Sequence, residues 1–289
     1  MSNLSPAVSS EASCAQTETR WIDVGGTTFA YRDFGSRNGT PLILLNRWGA
    51  VLDDFNSTIV HGLARFHRVV AIDYRGVGAS GGVARVSVDK MADDVILLVR
   101  AMGFDRVDLL GFSLGGFVAQ DIALKAPPLV RKLVLSDTAP AGGQGSDRVG
   151  AISWPLILKG LLALREPTNQ LFSPANDRQA ASVFLRRLKE RKNGIHKEQR
   201  PRAIFRQIKA MKAWGQRASQ DLSRLRMPVL IVKCENDILV PIALSNDMAR
   251  RIPQAQLISC PDVGHGNPVQ RYEHFVRKTL AFLGPWANG

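Results

Sequence analysis

The stretch that decides the predicted fold is V-D-L-L-G-F-S-L-G-G, residues 107–116. A short apolar strand runs into 111–115, which has the form G-x-S-x-G, and a helix is expected from Gly116. A strand that reverses sharply into a helix forces its middle residue, Ser113, into a strained backbone, and side chains at the flanking glycines would clash. The strain would hold the Ser113 hydroxyl above the sheet, over a helix N-terminus that favours negative charge. The pattern therefore predicts a serine nucleophile.

The sharp turn at 111–115 is called the elbow below. Buried strands alternate with helices both before and after it in the chain. A hairpin is predicted over 20–35, with its turn at Gly25-Gly26. Further strands are predicted over 41–46, 68–74, 132–136, 228–233 and 256–260. Helices are predicted over 53–66, 88–103, 242–252 and 271–283. This alternation indicates an α/β fold with a doubly wound, mainly parallel sheet.

The α/β pattern breaks after Pro140 and resumes at Met227. Between them, apolar residues recur at helical spacing among basic ones, as at Ile204, Ile208 and Met211. We therefore expect a core made of 20–141 and 221–289, with 142–220 inserted as a helical cap. Residues 1–19 are rich in Ser, Ala and Glu, with no basic or apolar segment, and are expected to be a disordered leader rather than a signal peptide.

The bulk composition narrows the class of protein. The chain has 289 residues, 45% hydrophobic and 22% charged, which suits one large core. No apolar run approaches the ~20 residues of a membrane span. The three cysteines are an odd number without C-x-x-C spacing, which favours a reduced compartment and argues against a metal site. The expected location is the cytoplasm.

The net charge of +13 is concentrated in residues 178–226, which hold fifteen Lys/Arg against three acidic residues. Three interpretations remain open: a solvated surface, a field that steers anionic substrates, and a contact with nucleic acid or anionic membrane. The segment carries no recognised nucleic-acid motif and few aromatic residues, so no specific nucleic-acid partner is expected. The expected partner is a small-molecule substrate, with an anionic one among the alternatives. The sequence carries no signal for an oligomeric state.

A serine nucleophile needs a base to accept its proton and a third group to orient that base. Asp237 lies in a turn after the predicted strand 228–233, and His265 lies in a Gly-flanked turn after the strand 256–260. Both turns emerge at the carboxyl edge of the parallel sheet, where sites assemble. Ser113, Asp237 and His265 are therefore the predicted catalytic residues.

Each assignment has an alternative. His265 could be a surface histidine, although the other four histidines lack a comparable setting at a strand end. Asp237 could be a helix N-cap or an ordinary turn residue. Its main competitor as the acid is Asp137, which directly follows the predicted strand 132–136.

The joint motifs resemble the α/β-hydrolase superfamily, in its branch of capped esterases, enol-lactonases, cofactor-free haloperoxidases and carbon–carbon bond hydrolases. The resemblance covers about residues 21–283. It rests on the turn D-Y-R-G-V-G-A-S at 73–80, the elbow at 111–115, and the segments 234–241 and 264–265. In that family the acid and then the histidine follow the serine along the chain, and the N-D-x-x-x-P segment of Asp237 lies at the later strand end, which favours Asp237 over Asp137.

The resemblance also implies an oxyanion hole, with one departure from the family pattern. Relatives usually carry His-Gly after the third strand, whereas this chain has Asn46-Arg47-Trp48-Gly49. The hole is assigned to the backbone N–H groups of Trp48 and Leu114, with Arg47 as the alternative to Trp48.

Four side chains are predicted to contact substrate: Arg47, Phe112, Trp154 and Trp214. Arg47 would bind a substrate carboxylate or carbonyl; alternatively it faces solvent and pairs with Asp53 or Asp54. The tryptophans would line an apolar acyl pocket under the cap, or simply pack within it.

The function implied is a serine hydrolase that acts on a carboxylic ester or lactone through an acyl-enzyme, without cofactor or metal. One alternative is carbon–carbon bond hydrolysis or cofactor-free haloperoxidase or perhydrolase chemistry with the same triad. A second alternative is a non-catalytic protein of the same fold that binds a small ligand.

Overall fold

The computed structural model describes residues 17–142, 200–237, 239–260, 265 and 272–284. The strands are β1 (Arg20–Val24), β2 (Thr27–Phe34), β3 (Leu42–Leu45), β4 (Val69–Ile72), β5 (Val107–Phe112), β6 (Val130–Ser136), β7 (Val229–Cys234) and β8 (Ala255–Cys260). They form one eight-stranded sheet in the order β1-β2-β4-β3-β5-β6-β7-β8. β2 pairs antiparallel with β1 and β4, and the remaining pairs are parallel. The predicted mainly parallel sheet is confirmed.

Helices cover both faces of this sheet. Within the described ranges they are α1 (Ser57–Ala64), α2 (Val88–Ala101), α3 (Leu114–Lys125), α4 (Pro201–Gln216), α5 (Ile242–Arg251) and α6 (Tyr272–Leu283). α1 and α6 pack on one face, and α2 to α5 pack on the other. Because both faces are buried, the central strands are continuously apolar rather than alternating. None of these described helices has the length and apolar character that crossing a membrane requires.

The first predicted helix is wrong at its start. The pattern placed it over 53–66, whereas Leu52–Asp54 is a separate 3₁₀ turn and α1 begins at Ser57. Asn56 caps α1 because its side-chain oxygen accepts the N–H of Thr58 at 2.8 Å. Asn is among the strongest N-cap residues, so the cap sets where the helix starts.

The predicted insertion is described only from residue 200 onward, where α4 lies. The helical spacing pointed to a face made of Ile204, Ile208 and Met211, but the two isoleucines are only half-buried. The fully buried positions of α4 are Ala203, Gln207, Ala210, Met211, Trp214 and Gly215. The first 16 residues of the predicted leader, and residues 143–199 of the predicted cap, lie outside the described residues.

The elbow lies where the strand order changes direction, between β3 and β5. A Cβ built on Gly111 would lie 2.5 Å from the carbonyl oxygen of Gly115, and one on Gly115 would lie 2.5 Å from the carbonyl carbon of Leu45. Real Cβ atoms do not approach backbone this closely, so the close packing of α3 against β3 and β5 requires both glycines. In open α/β sheets such a switch point is where ligands bind.

Candidate active site

Ser113 occupies the sharp turn between β5 and α3, with φ 54° and ψ −115°. A non-glycine residue with positive φ is strained and persists only where its surroundings hold it. The end of β6 and the residues after it hold Ser113 in this conformation. The Ser113 N–H donates to the Ser136 carbonyl at 2.9 Å, and the Thr138 hydroxyl donates to the Ser113 carbonyl at 2.8 Å. The strained backbone predicted from the G-x-S-x-G pattern is present.

Three side chains that are far apart in the sequence meet above the carboxyl edge of the sheet. The Nε2 atom of His265 lies 3.2 Å from Oγ of Ser113, and its Nδ1 lies 2.7 Å from Oδ2 of Asp237. All three residues are buried. The imidazole can therefore accept the serine proton at one nitrogen while the carboxylate holds the proton on the other.

The turn after β7 holds the Asp237 carboxylate in place. Its Oδ1 accepts the backbone N–H groups of Leu239 and Val240, at 2.8 and 2.9 Å. Its Oδ2 is left to face His265. Two charge-assisted hydrogen bonds from a rigid turn stabilise the ionised carboxylate and fix its direction.

The electrostatic balance at His265 favours the protonated imidazole. Burial lowers the pKa of His265, and the Arg47 charge lowers it further. The charge and hydrogen bond of Asp237, together with the charge of Asp137, outweigh both, so the pKa of His265 lies above its ordinary value. The groups around His265 therefore stabilise its imidazolium form relative to an ordinary histidine.

Asp137, the alternative acid, lies at the end of β6 and is also buried. Its backbone has φ 46°, and its N–H donates to the Val232 carbonyl at 3.1 Å. The Ser136 hydroxyl donates to its Oδ2 at 3.4 Å. The structure thus brings both predicted carboxylates to the same region, with Asp237 hydrogen-bonded to the imidazole and Asp137 acting on it through charge.

The loop after β3 is held together by Asn46. Its Oδ1 accepts the Arg47 N–H at 2.8 Å, and its Nδ2 donates to the Val51 carbonyl at 2.7 Å. The Tyr74 hydroxyl donates to the Asn46 carbonyl at 3.3 Å. These bonds give a defined conformation to a loop that leaves the sheet beside Ser113.

Arg47 does not face solvent, so that part of the alternative is wrong, whereas Asp54 lies close enough to act on it by charge. Arg47 is 7% exposed, and its guanidinium donates to the Trp48 carbonyl at 3.1 Å. Burial lowers the pKa of Arg47, and Asp54 opposes that shift. Asp53 instead pairs with Arg32 at 2.5 Å. Arg47 lines a pocket together with Asn46, Asp54, Phe112 and apolar residues of β3, β5, α1 and α6.

The three aromatic residues predicted to contact substrate have different positions. The Phe112 ring stacks on the imidazole of His265, with centroids 5.6 Å apart and an interplanar angle of 27°. Trp214 is buried, stacks on Phe117 at 5.4 Å and donates its indole N–H to the Ala139 carbonyl at 3.3 Å. Trp154 lies outside the described residues.

Sequence reasoning missed Asn46 and Gln207. Gln207, on α4, accepts the Gly49 N–H through its Oε1 at 3.1 Å. An Asn directly after a buried strand is a signal for local side-chain to backbone bonding. A lone Gln between the apolar positions Ala203 and Met211 is a signal for a buried polar contact.

No group of three or more His, Cys, Asp or Glu side chains is arranged to hold a metal ion in the ranges given above. The polar groups beside Ser113 are the imidazole of His265 and, behind it, the carboxylate of Asp237.

This fold, with a serine at the elbow, defines the class. The chain belongs to the alpha/beta hydrolase fold family, whose sequence model matches residues 40–271. It is 30% identical over 232 residues, 78% of this chain and 85% of the other, to "Putative carbamate hydrolase RutD" of Rhizobium rhizogenes. It is 28% identical over 255 residues, 83% of this chain and 94% of the other, to a pimeloyl-acyl-carrier protein methyl ester esterase of Nitrosomonas europaea.

Among solved structures, an alpha/beta hydrolase fold protein from Chitinophaga pinensis superimposes with a TM-score of 0.87 at 30% identity, covering 93% of this chain and 98% of that one. The fold and the names of the relatives together indicate a hydrolase.

Proposed function

We propose that this protein is a serine hydrolase that cleaves a carboxylic ester or lactone through an acyl-enzyme on Ser113. The observation that carries the proposal is the 3.2 Å separation between Oγ of Ser113 and Nε2 of His265 on a strained elbow. That distance is within hydrogen-bond reach, so the base can take the proton as the oxygen attacks.

The reaction follows from this geometry. Oγ of Ser113 attacks the substrate carbonyl carbon while Nε2 of His265 takes its proton, and Asp237 keeps the other proton on Nδ1. The tetrahedral intermediate collapses, and His265 returns the proton to the leaving alkoxide oxygen. His265 then deprotonates a water molecule, which attacks the acyl carbon and releases the acid. The proton returns to Oγ, and Ser113 is regenerated.

The oxyanion hole is assigned to the backbone N–H groups of Trp48 and Leu114. Neither donates to an acceptor within the described part of the chain, whereas the Arg47 N–H is engaged by Asn46. That engagement favours Trp48 over Arg47. Leu114 is the first residue of α3, where a helical N–H has no partner within the helix and the dipole favours an anion.

The substrate is proposed to be a small molecule bound under a cap formed by 142–220. Arg47 would bind a carboxylate or carbonyl of the acyl part, since its charge acts on His265 and it lines a pocket with Phe112, whose ring stacks on that imidazole. Phe112, Trp154 and Trp214 are the proposed apolar contacts. The basic segment 178–226 would steer an anionic substrate toward the site.

Carbamate hydrolysis is the second candidate, favoured by the name of the Rhizobium rhizogenes relative. A carbamate presents the same kind of carbonyl carbon to Ser113, and attack would give a carbamoyl-enzyme by the same steps. The two candidates therefore differ in the group bound beside the carbonyl, and not in the triad.

The test uses the full-length protein, a fluorophosphonate probe and a panel of p-nitrophenyl esters, lactones and carbamates. Wild type should be labelled at Ser113 and should turn over at least one substrate class, and Ser113→Ala should lose both. Ser223→Ala, which removes an exposed hydroxyl, is the matched control. Labelling absent from wild type, or turnover retained in Ser113→Ala, would refute the mechanism and favour a protein that only binds its ligand.

A further inference from the structure

Helix α4 contacts the loop after β3 at two points. The indole N–H of Trp48 donates to the Ile204 carbonyl at 3.3 Å. The backbone N–H of Gly49 donates to Oε1 of Gln207 at 3.1 Å. Both partners are more than 150 residues away in sequence, on a helix that belongs to the predicted insertion.

These bonds act on the part of the loop that carries the proposed oxyanion donor. The Trp48 N–H belongs to the peptide group between Arg47 and Trp48, and the Gly49 N–H belongs to the next peptide group. Gly49 has φ 73°, so the chain turns in a left-handed conformation directly after this point. Asn46 holds the preceding side of the loop. Gln207 therefore secures the far side of the turn that orients Trp48.

The chemistry of Gln207 argues for a specific task. It is 1% exposed and shares the buried face of α4 with Ala203, Ala210 and Met211. Burying an amide costs free energy unless it is hydrogen-bonded, and Oε1 of Gln207 is satisfied by accepting the Gly49 N–H. The buried acceptor oxygen is therefore directed at the loop after β3.

We propose that Gln207 is a positioning residue for the oxyanion hole. By holding the peptide between Trp48 and Gly49, it keeps the Trp48 N–H directed at the oxygen that becomes negative in the tetrahedral intermediate. The proposal rests on the proposed function, because it requires an acyl-enzyme and the Trp48 donor. It also implies that α4 must be seated against this loop for full turnover.

The expected signature is a loss of kcat with little change in KM, because the donor acts on the transition state more than on the bound substrate. Removing an oxyanion donor outright lowers kcat by about 10²–10³-fold. A donor that is kept but points in a slightly wrong direction, because its loop has lost support, should lower kcat less, by about 10–100-fold.

The experiment compares Gln207→Met, which keeps the volume and removes the acceptor, with Gln207→Glu, which keeps an acceptor oxygen. Gln216→Met, the same change at an exposed and uncharged position of the same helix, is the matched control. Kinetic constants for the best p-nitrophenyl ester and the inhibition constant of an alkyl trifluoromethyl ketone are measured for each. The adduct of that ketone with Ser113 carries an oxyanion, so its affinity reports the hole directly.

The proposal expects Gln207→Met to lose kcat and ketone affinity together, Gln207→Glu to recover much of both, and Gln216→Met to match wild type. Equal values for Gln207→Met and Gln216→Met, in an enzyme that a fluorophosphonate labels, would overturn the positioning role alone. Absence of labelling in wild type would instead overturn the proposed function. If Gln207→Met does not fold, Trp48→Phe, which removes the indole bond to Ile204 and keeps the backbone N–H, must show the same paired loss.

Discussion

Asp237 and His265 are 28 positions apart in the chain, yet Oδ2 of the first lies 2.7 Å from Nδ1 of the second. The strands that precede them, β7 and β8, are parallel neighbours, and Cys234 and Cys260 face each other where those strands end. The two following turns therefore leave the same edge of the sheet side by side. This juxtaposition, more than either turn alone, places the carboxylate against the imidazole.

The two carboxylates near the imidazole should differ sharply in their effect on turnover. Asp237→Asn should lower kcat by about 10⁴-fold, because an amide in place of the carboxylate favours the wrong tautomer of His265. Asp137→Asn should have a far smaller effect, and Asn tolerates the positive φ at this position. Steady-state kinetics on one ester measure both. A larger loss in Asp137→Asn would transfer the role of acid to Asp137.

The pH dependence of kcat/KM should report the electrostatics around His265. Its raised pKa places the acid limb above the usual histidine value of about 6.5, since only the neutral imidazole accepts the serine proton. Asp137→Asn removes a negative charge that stabilises the imidazolium, so the limb should move to lower pH. Arg47→Ala removes a positive charge that destabilises it, so the limb should move to higher pH.

Arg100→Met, an exposed change at the end of α2, is the control for that profile and should leave the limb where it is. Shifts of the same sign in Asp137→Asn and Arg47→Ala would show that structural disturbance, and not charge, moves the limb.

Arg47 should discriminate between acyl groups by their charge. If its guanidinium binds an anionic part of the substrate, Arg47→Ala should weaken kcat/KM for esters of dicarboxylic half-acids far more than for neutral esters of equal length. Arg202→Ala, which removes an exposed cation of α4, controls for general steering. An equal loss on charged and neutral esters would remove the specificity role from Arg47.

Asp73 should make the stability of the fold depend on pH. Burial raises the pKa of Asp73 to about 7, against the backbone N–H bonds from Ala79 and Leu52. In the unfolded chain this carboxyl ionises near pH 3.9, so the folded state binds its proton more tightly. The contribution of Asp73 to stability should therefore fall as the pH rises from about 4 to about 7, and stay constant above that.

Asp73→Asn carries no titrating proton and should abolish that part of the slope. At pH 4, Asp73→Asn should also be less stable than wild type by about 1–3 kcal/mol. Two backbone N–H groups each need an acceptor oxygen, and an amide supplies only one. Urea unfolding at several pH values between 4 and 8 measures both effects. Parallel stability curves for wild type and Asp73→Asn would contradict the pKa assigned to Asp73.

Much of the fold was predictable because its signals are local. The apolar strands, the capped helices and the elbow at Ser113 each depend on a few neighbouring residues, and the glycines at 111 and 115 encode a close approach of backbone. The strand-end positions of Asp237 and His265 followed from the rule that loops after parallel strands share one edge. The start of α1 was wrong because a single cap, Asn56, outweighed the periodic pattern.

What the sequence by itself determined is therefore the doubly wound sheet, the strained turn at Ser113 and the set of candidate acids and bases. Only the tertiary structure decided that Asp237 hydrogen-bonds His265, that Arg47 is buried, and that Gln207 reaches the loop after β3. The physical reason is the separation along the chain over which each interaction acts. Backbone strain, capping and hydrophobic periodicity act between residues close in the chain, whereas side-chain contacts across 28 to 158 positions exist only once the strand order and helix packing have brought those residues together.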